Sequence, residues 1–394
     1  MTASGNTEYN AEFEDTGFGG RSQGPYDLRV DFRPDAAEAD VLQDVNEQML
    51  AGTPFDGDAD GTPGGVFDFW FRTTDLERTI FVDKVTTIPY PGAKDTVDTI
   101  SEALSVADPG DIVRIVGTDG FDGVADTLDD NFAYEIGTGT LPGQILSDGK
   151  TMSIPQGVTV MVDEGVIFKL RSARIGIGSS SLGVDRSASA FQVLGTPAQP
   201  VYFTSYFDEE IGLDTQLPTT VPKAGDWGGI VYRNDLDNAE ERFNYEEQGV
   251  FLNYVNNADI RYGGGNVEID SVRQIVTPIE MSEARPTISH NQISNSADAP
   301  ISADPNSFEE TNFHAPVFQL QGAFTSDYER IGPDLQANVL IDNSTNGLFI
   351  RISTPAGNEL RSLTVAGRFD DTDIVHVLAE NLQIAGSPGE PILE

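Results

Sequence analysis

A run of very short strands between residues 150 and 205 constrains the fold more than any other feature of this sequence. Apolar side chains recur at every second position in GVTVMVDEGVIFKL, and a Glu-Gly turn divides the run into two strands. These positions are Val158, Val160, Val162, Val166, Phe168 and Leu170. Each strand is too short to bury its apolar face alone, so neighbours of the same kind must stack on it. The pattern therefore predicts a β-solenoid.

The same device recurs towards the C-terminus, which predicts one continuous solenoid from about Ile80 to the end of the chain. SAFQVLGTPAQPVYFTS is followed by the strand-like runs GIVYR, GVFLNYV, ADIRYGG, PTISHNQIS, ANVLIDNS, GLFIRIS and RSLTVAG. Asparagines tolerate left-handed backbone and can bond a neighbouring strand, so three of them are predicted at corners: Asn291, Asn295 and Asn343. Three insertions are expected to project from the stack: 208–224, 235–248 and 305–333.

Composition excludes several classes of function. The 394 residues include 64 acidic and 23 basic side chains, for a formal net charge of -41. Binding to nucleic acid or to an anionic membrane surface needs clustered Lys and Arg, so neither is expected. The absence of cysteine excludes disulfides and thiolate metal sites. No apolar run approaches the roughly 18 residues of a membrane helix, and no signal peptide pattern opens the sequence.

The N-terminal region reads differently from the rest. Residues 1–34 end in an alternating strand, Tyr26 to Phe32, which is interpreted as a strand segment or the end of an upstream β-domain. Residues 35–51 are predicted to form a helix with Asp35 as its N-cap. Residues 35–78 are therefore taken as a helix, an Asp-rich loop and a strand, and 79–394 as the solenoid.

The Asp-rich loop predicts a Ca²⁺ site. Asp56, Asp58 and Asp60 occupy alternate positions before Gly61, as at the start of an EF-hand loop, and oxygen ligands at this spacing suit Ca²⁺. The expected shell adds the Thr62 carbonyl and Asp68. An EF-hand glutamate is missing at the closing position, so an exposed Asp/Gly turn is the alternative interpretation.

The solenoid opens with a short helix in TVDTISEALSVA, whose apolar positions are predicted to be Ile100, Leu104 and Val106. A helix at this point can cover the open end of the core. Residues 118–149 are expected to be acidic and irregular. The acidic residues at 119–130 (Asp119, Asp122, Asp126, Asp129, Asp130) could hold a second cation, but their spacing fits no loop template, so a solvated turn is the favoured interpretation. The stretch 370–373 is interpreted as a turn with solvated or cation-bound carboxylates.

Several motifs resemble known proteins. Phe191 to Ser205 and GDWGGIVYRND resemble coils of right-handed parallel β-helices of the pectin-lyase-like class. ARIGIGSSS, PVYFTSY, ADPNSFEETNFHAP and RFDDTDIVHVLAENLQIAG resemble the very large secreted surface proteins of planctomycete-type bacteria, over roughly residues 55–394. The resemblance implies a mainly β, right-handed parallel β-helix in an extracellular or cell-surface protein.

Enzymes of the pectin-lyase-like class use paired carboxylates, or an Arg or Lys base with Ca²⁺. The residues in this sequence that match such roles are Asp226, Arg233, Asp235 and Arg261. They form no catalytic signature. The three widely separated histidines, including His290 in TISHNQIS, are interpreted as structural.

Two functions remain open at this level. The first is a non-catalytic structural or adhesive module, stiffened by Ca²⁺, with extracellular polysaccharide or neighbouring surface-protein domains as partners. The second is a polysaccharide lyase or glycoside hydrolase working in a groove of the β-helix. The last residues, PGEPILE, supply no cap for an apolar core, so the solenoid is expected to continue beyond Glu394 in a longer protein.

Overall fold

The computed structural model describes residues 14–15, 25–31, 66–72, 76–86, 88–118, 120, 128–213, 221–242, 245–246, 251–312, 329–352, 360–369 and 373–384. The chain forms two compact units. One comprises Met1–Asp75 and Asn312–Tyr328, and the other comprises Leu76–Thr311 and Glu329–Glu394. Strands are numbered β1 to β30 along the chain.

The first unit contains a three-stranded antiparallel sheet in the order β1-β2-β3. Its strands are β1 (Glu14–Asp15), β2 (Pro25–Asp31) and β3 (Val66–Arg72). β2 and β3 pair along their whole length, with Leu28 opposite Phe69. Both strands coincide with the alternating apolar runs in the sequence, as predicted. The helix predicted at residues 35–51 lies outside the described residues.

The second unit is built on three parallel sheets. Sheet 1 contains β4 (Thr79–Val82), β5 (Asp95–Val97), β6 (Ile112–Ile115), β9 (Thr159–Val162), β12 (Ala190–Leu194), β15 (Tyr254–Asn256), β20 (Thr287–Ser289) and β25 (Asp334–Gln336). Sheet 2 contains β7 (Tyr134–Gly137), β10 (Ile167–Arg171), β13 (Val201–Ser205), β16 (Ala258–Arg261), β21 (Gln292–Ser294) and β26 (Val339–Ile341). Sheet 3 contains β8 (Met152–Ser153), β11 (Ile175–Ile177), β14 (Ile230–Arg233), β19 (Ile279–Ser282), β22 (Ile301–Ala303), β27 (Leu348–Ile350) and β29 (His376–Leu378).

The chain visits the three sheets in a fixed rotation, and one pass through sheets 1, 2 and 3 is called a coil. From β6 to β27 the order sheet 1, sheet 2, sheet 3 repeats without exception, and each strand pairs in parallel with its counterpart in the next coil. This order explains the strand lengths, because a strand of two to five residues is stabilised only by the strands above and below it. The second unit is therefore mainly β and solenoid-like, in agreement with the coarse prediction.

One hydrophobic core runs through all three sheets. In sheet 1, a single inward-facing row crosses seven successive strands in register: Val82, Ile115, Val162, Val193, Val255, Ile288 and Leu335. In sheet 2, Phe168 stacks on Phe203 with ring centroids 4.8 Å apart. Each such side chain stabilises the fold by about 1.5–3 kcal/mol when buried. The alternation seen in the sequence thus becomes a stack of like residues.

Helix α1 (Ile100–Val106) follows the first two strands and is confirmed as predicted. Thr99 caps it, since its hydroxyl accepts a hydrogen bond from the Glu102 N–H over 3.3 Å. The buried positions are Ile100 and Ala103, both within the main core cluster. Val106, the last residue of the helix, was expected to be one of its apolar positions but is exposed.

Three elements were not predicted. β7 lies within residues 118–149, where only two apolar side chains, Tyr134 and Ile136, mark the strand, and pairing with β10 stabilises it. Helix α2 (Asp235–Ala239) follows β14 directly. An antiparallel hairpin of β17 (Asn266–Ile269) and β18 (Val272–Ile275) is inserted in the coil between β16 and β19.

The remaining elements are short. They are β23 (Glu310–Asn312), β24 (Glu329–Ile331), β28 (Ser362–Leu363) and β30 (Gln383–Ile384), and 3-10 helices at Leu76–Arg78, Leu128–Asp130 and Pro305–Phe308. The expectation that all three insertions project is wrong for the start of two of them. Phe308 is buried in the main core. Residues 206–213 fold back over sheet 2, as described below.

Candidate functional site

The predicted Ca²⁺ loop lies outside the part of the chain that the structure describes. Asp56, Asp58, Asp60 and Thr62 precede β3, and of the proposed shell only Asp68 has a described backbone, within β3 opposite Arg29. The acidic positions 119, 122, 126, 370 and 371 are likewise outside the described ranges. In those ranges, no three acidic or histidine side chains are grouped so as to hold a metal ion.

Arg233 and Asp235 form a tight pair at the end of β14. Arg233 Nε donates to Asp235 Oδ1 over 3.2 Å and Nη2 donates to Oδ2 over 2.9 Å. Burial alone would lower the pKa of Arg233, but the carboxylate of Asp235 outweighs burial and raises it. The guanidinium therefore stays charged and is held by its neighbour two residues on, which is a bidentate arrangement of the strong kind.

Arg261 makes an equivalent pair on sheet 2. Its Nε and Nη2 donate to the two carboxylate oxygens of Asp259 over 2.8 and 2.6 Å. The hydrogen bond to Asp259 is the main reason that the pKa of Arg261 is raised. Asp226 is occupied separately: its Oδ2 accepts from the Ser205 hydroxyl over 2.6 Å and from the Lys223 N–H over 2.8 Å.

The four candidate catalytic residues are thus divided between two places. Arg261 lies on sheet 2, whereas Arg233 and Asp235 lie at the end of a strand of sheet 3. Asp226 precedes Trp227, whose indole N–H donates to the Arg261 carbonyl over 2.7 Å. Asp226 therefore adjoins the backbone of Arg261, while its carboxylate bonds elsewhere. The arrangement is one of local pairs.

The loop 206–213 covers part of the outer face of sheet 2. Lys169 is fully buried beneath it, and its ammonium donates to the Leu213 carbonyl over 2.8 Å and lies 3.9 Å from Glu209. Ile211 packs on Ala133 and Ile167 in a separate apolar cluster. The insertion folds back because a lysine in this position needs oxygen acceptors, which the loop carbonyls supply.

Asparagine ladders hold the corner between sheets 1 and 2. Asn291 Oδ1 accepts from the Ala258 N–H and Nδ2 donates to the Val255 carbonyl, both over 2.8 Å. Asn338 repeats this one coil later, because its Oδ1 accepts from the Asn291 amide over 2.9 Å and its Nδ2 donates to the Ile288 carbonyl over 2.7 Å. Each amide thus closes the gap in backbone pairing where one sheet gives way to the next.

A second ladder stands at the corner between sheets 2 and 3. Asn343 Oδ1 accepts from the Ser296 N–H over 3.0 Å, and Nδ2 donates to the Ile293 carbonyl over 2.8 Å. Asn295, with φ at 55°, supplies the left-handed turn of the preceding coil. The corner roles predicted for Asn291, Asn295 and Asn343 are therefore present in the structure.

His290 lies where the sequence predicted a structural residue, whereas the role of Asn338 was not predicted. His290 has φ at 57° and forms the bend immediately before Asn291, so this histidine lies at a corner, as expected of a structural residue. Asn338 was not singled out. A signal for it existed, since HNQISNS at 290–296 aligns with ANVLIDN at 337–343 in a repeat of 47 residues.

Comparison of the chain with protein-family models, with curated proteins and with solved structures finds no match. Among the described residues, no helix is long and apolar enough to cross a membrane.

Proposed function

We propose that the chain is a non-catalytic structural or adhesive module of a large extracellular protein, and that its second unit is a right-handed parallel β-helix. Extracellular polysaccharide or neighbouring surface-protein domains are its expected partners. The chain's resemblance to very large secreted surface proteins supports the setting, and the order of strands in sheets 1, 2 and 3 supports the β-helix.

The observation that carries the proposal is the pair of asparagine ladders alongside one unbroken core. Asn291 and Asn338 join three successive coils through side-chain amides, so neighbouring coils are tied at the corner as well as along the strands. A stack bonded in this way resists bending and separation, because each coil loses both backbone and side-chain bonds when it leaves. Stiffness is what a spacer or an adhesive stalk requires.

The state of the charged groups favours this role over catalysis. A lyase needs an arginine or lysine ready to take a proton, and a hydrolase needs two carboxylates facing one bond. Arg233 and Arg261 are each held by a carboxylate two residues away, and Asp226 by Ser205. The lyase or hydrolase interpretation is therefore the second choice, and the experiment below includes it as an outcome.

Force spectroscopy on the whole chain tests the proposal. The chain has no cysteine, so cysteines replacing the exposed Val85 and Val375 provide two unique handles across the coils. The coils should resist as one block and release in a single large step. Asn291→Ala combined with Asn338→Ala should lower the release force, whereas Asn266→Ala, at an exposed position on the hairpin, should leave it unchanged.

Stepwise peeling of single coils at low force in the unaltered chain would contradict a stiffening role. Incubation with uronic-acid polysaccharides decides the alternative. New reducing ends or unsaturated products that disappear in Arg261→Gln would identify an enzyme and overturn the proposal.

A further inference from the structure

The outer face of sheet 3 holds a buried arginine whose charge is unmatched. Arg174 is 5% exposed and lies across Gly176, where a Cβ would clash with its Nη1. In the described part of the chain its guanidinium forms no hydrogen bond or ion pair, and its Nε is shielded from solvent. A buried guanidinium whose Nε has no acceptor is unfavourable, so a bound acceptor at this position would stabilise it.

A glutamate on the same outer face has a buried carboxylate oxygen that lacks a hydrogen-bond donor within the described ranges. Glu280 is 8% exposed, and its Oε2 is buried without a donor among the described residues. Glu280 belongs to an outward-facing row that runs across three strands: Gly176, Val231 and Glu280. Strand β14 therefore lies between Glu280 and β11, the strand that begins directly after Arg174. The charge of Glu280 acts on Arg174, yet the two side chains do not form a direct ion pair.

Further charges surround the gap between them. Arg233, already paired with Asp235, and Arg186 add positive charge, while Asp270 in the hairpin turn adds negative charge. Burial and then the charge of Arg233 are the leading reasons that the pKa of Arg174 falls to about 10. An acceptor carrying negative charge would relieve both effects, whereas a water molecule would supply a hydrogen bond and no charge.

The hairpin β17–β18 packs on the outward-facing row between these charged groups. Val267, Ile269 and Val276 pack with Val231 in one apolar cluster. Asp270 and Ser271 make the two-residue turn with φ at 47° and 69°, which brings the turn towards Arg174 and Arg233. Any ligand bound between Arg174 and Glu280 beside the hairpin must therefore be small.

We propose that Arg174 and Glu280 bind a small protonated oxyanion, such as a phosphate carrying a P–OH group or bicarbonate, beneath the hairpin. The oxyanion oxygens accept from the Arg174 guanidinium, whose planar fork matches such a group. The ligand O–H donates to Glu280 Oε2. Sulfate at neutral pH has the acceptors but lacks the proton, so it satisfies Arg174 and leaves two negative groups facing each other.

Calorimetric titration of the whole chain with phosphate, bicarbonate and sulfate at matched ionic strength tests this site. Phosphate or bicarbonate should bind on the order of tenfold more tightly than sulfate, the effect of one charge-assisted hydrogen bond. Arg174→Gln should abolish binding of every anion. Arg273→Gln, which removes an exposed charge from the same hairpin, should bind as the unaltered chain does and is the matched control.

Glu280→Gln provides a second test that does not depend on the folding of the arginine variant. A glutamine amide can donate, so this variant should lose the preference for phosphate and bind sulfate at least as well. The rise in unfolding temperature with each anion should follow the same order as the affinities. Comparison with Arg273→Gln removes general salt effects. Equal or absent binding of all three anions by the unaltered chain, or binding that survives in Arg174→Gln, would refute the site and leave water as its occupant.

Discussion

The side-chain amide of Asn291 donates from Nδ2 to Oδ1 of Asn338 over 2.9 Å, and the two residues occupy the same corner in successive coils. Each amide also bonds backbone groups of the coil before it, so the pair connects three coils. A side chain here replaces the backbone ladder at the point where sheet 1 ends and sheet 2 has not yet begun. This gives the first prediction.

Asn291→Ala should destabilise the chain by about 2–3 kcal/mol, because the buried Ala258 N–H and Val255 carbonyl lose their partners. Asn338→Ala should have a smaller effect, and the double variant should lose less than the sum, since the two amides share one bond. Urea unfolding measures all three. Additive losses, or an equal loss in the exposed control Asn266→Ala, would show that no ladder operates.

Two buried tyrosines should respond in opposite ways to loss of the hydroxyl. Tyr232 is fully buried and its hydroxyl has no hydrogen-bond partner among the residues that the structure describes, so Tyr232→Phe should be neutral or stabilise the chain by up to about 1 kcal/mol. The Tyr134 hydroxyl lies 2.8 Å from both the Val82 and Val116 carbonyls. Tyr134→Phe should therefore destabilise by about 1–2 kcal/mol. Thermal unfolding of the two variants side by side checks the contrast, and equal shifts would contradict it.

Asp111 should make stability depend on acidity. Burial acts to raise its pKa, but the hydrogen bond from Lys94, assisted by the Asp108 N–H and Arg78, outweighs burial and lowers the pKa below the usual 3.8. A carboxyl with a lowered folded pKa stabilises the fold above its unfolded pKa, and that contribution disappears as pH falls through the folded value. Asp111→Asn should cost about 3 kcal/mol at neutral pH and progressively less below pH 3.8.

Urea unfolding from pH 7 to pH 2 measures the difference between the unaltered chain and Asp111→Asn. Asp108→Asn is the matched control, because that carboxylate also pairs with Lys94 but is 75% exposed and should contribute under about 1 kcal/mol. A difference that stays constant across the pH range would contradict the assignment.

The Asp56–Asp58–Asp60 loop is predicted to take up Ca²⁺. Alternate carboxylates before a glycine repel one another strongly enough to need a cation, and Asp58→Ala removes the central one. Calorimetry should show one fewer bound Ca²⁺ in that variant and no change in Asp108→Ala. Equal uptake by the unaltered chain and Asp58→Ala would leave the loop as an exposed turn.

Much of the strand order was accessible from the sequence because alternation survives wherever a strand has one buried face. The alternation of Val158, Val160 and Val162 predicts β9, and the corner asparagines predict where strands end. β7 was not predicted because its four residues give only two alternating apolar positions, and the strand is stabilised by pairing with β10.

The outer faces were less accessible, since contacts there depend on which coil lies beside which. The sequence identified Arg261 and Arg233 as charged residues on strands. It did not show that each one pairs with a carboxylate two residues away, because that depends on the directions of the side chains. Arg174 and Glu280 come from sequence positions 106 residues apart and lie on the same outer face only because β11, β14 and β19 are neighbours. The Asp270-Ser271 turn carries no glycine, so the hairpin that covers them gave no turn signal.

The most direct test of the coil stack uses the absence of cysteine in the chain. Paired cysteines can be placed between the same two coils in each sheet: Gln192 with Tyr254, Tyr202 with Asp259, and Val231 with Glu280. In-register neighbours lie within disulfide range, whereas a shift of two residues places the Cα atoms beyond about 7 Å. Mass spectrometry after mild oxidation should find intramolecular disulfides in all three variants and none in the shifted pair of Gln192 with Asn256. A disulfide in the shifted pair, or failure of any one of the three in-register pairs in a folded chain, would contradict the stacked arrangement of the coils.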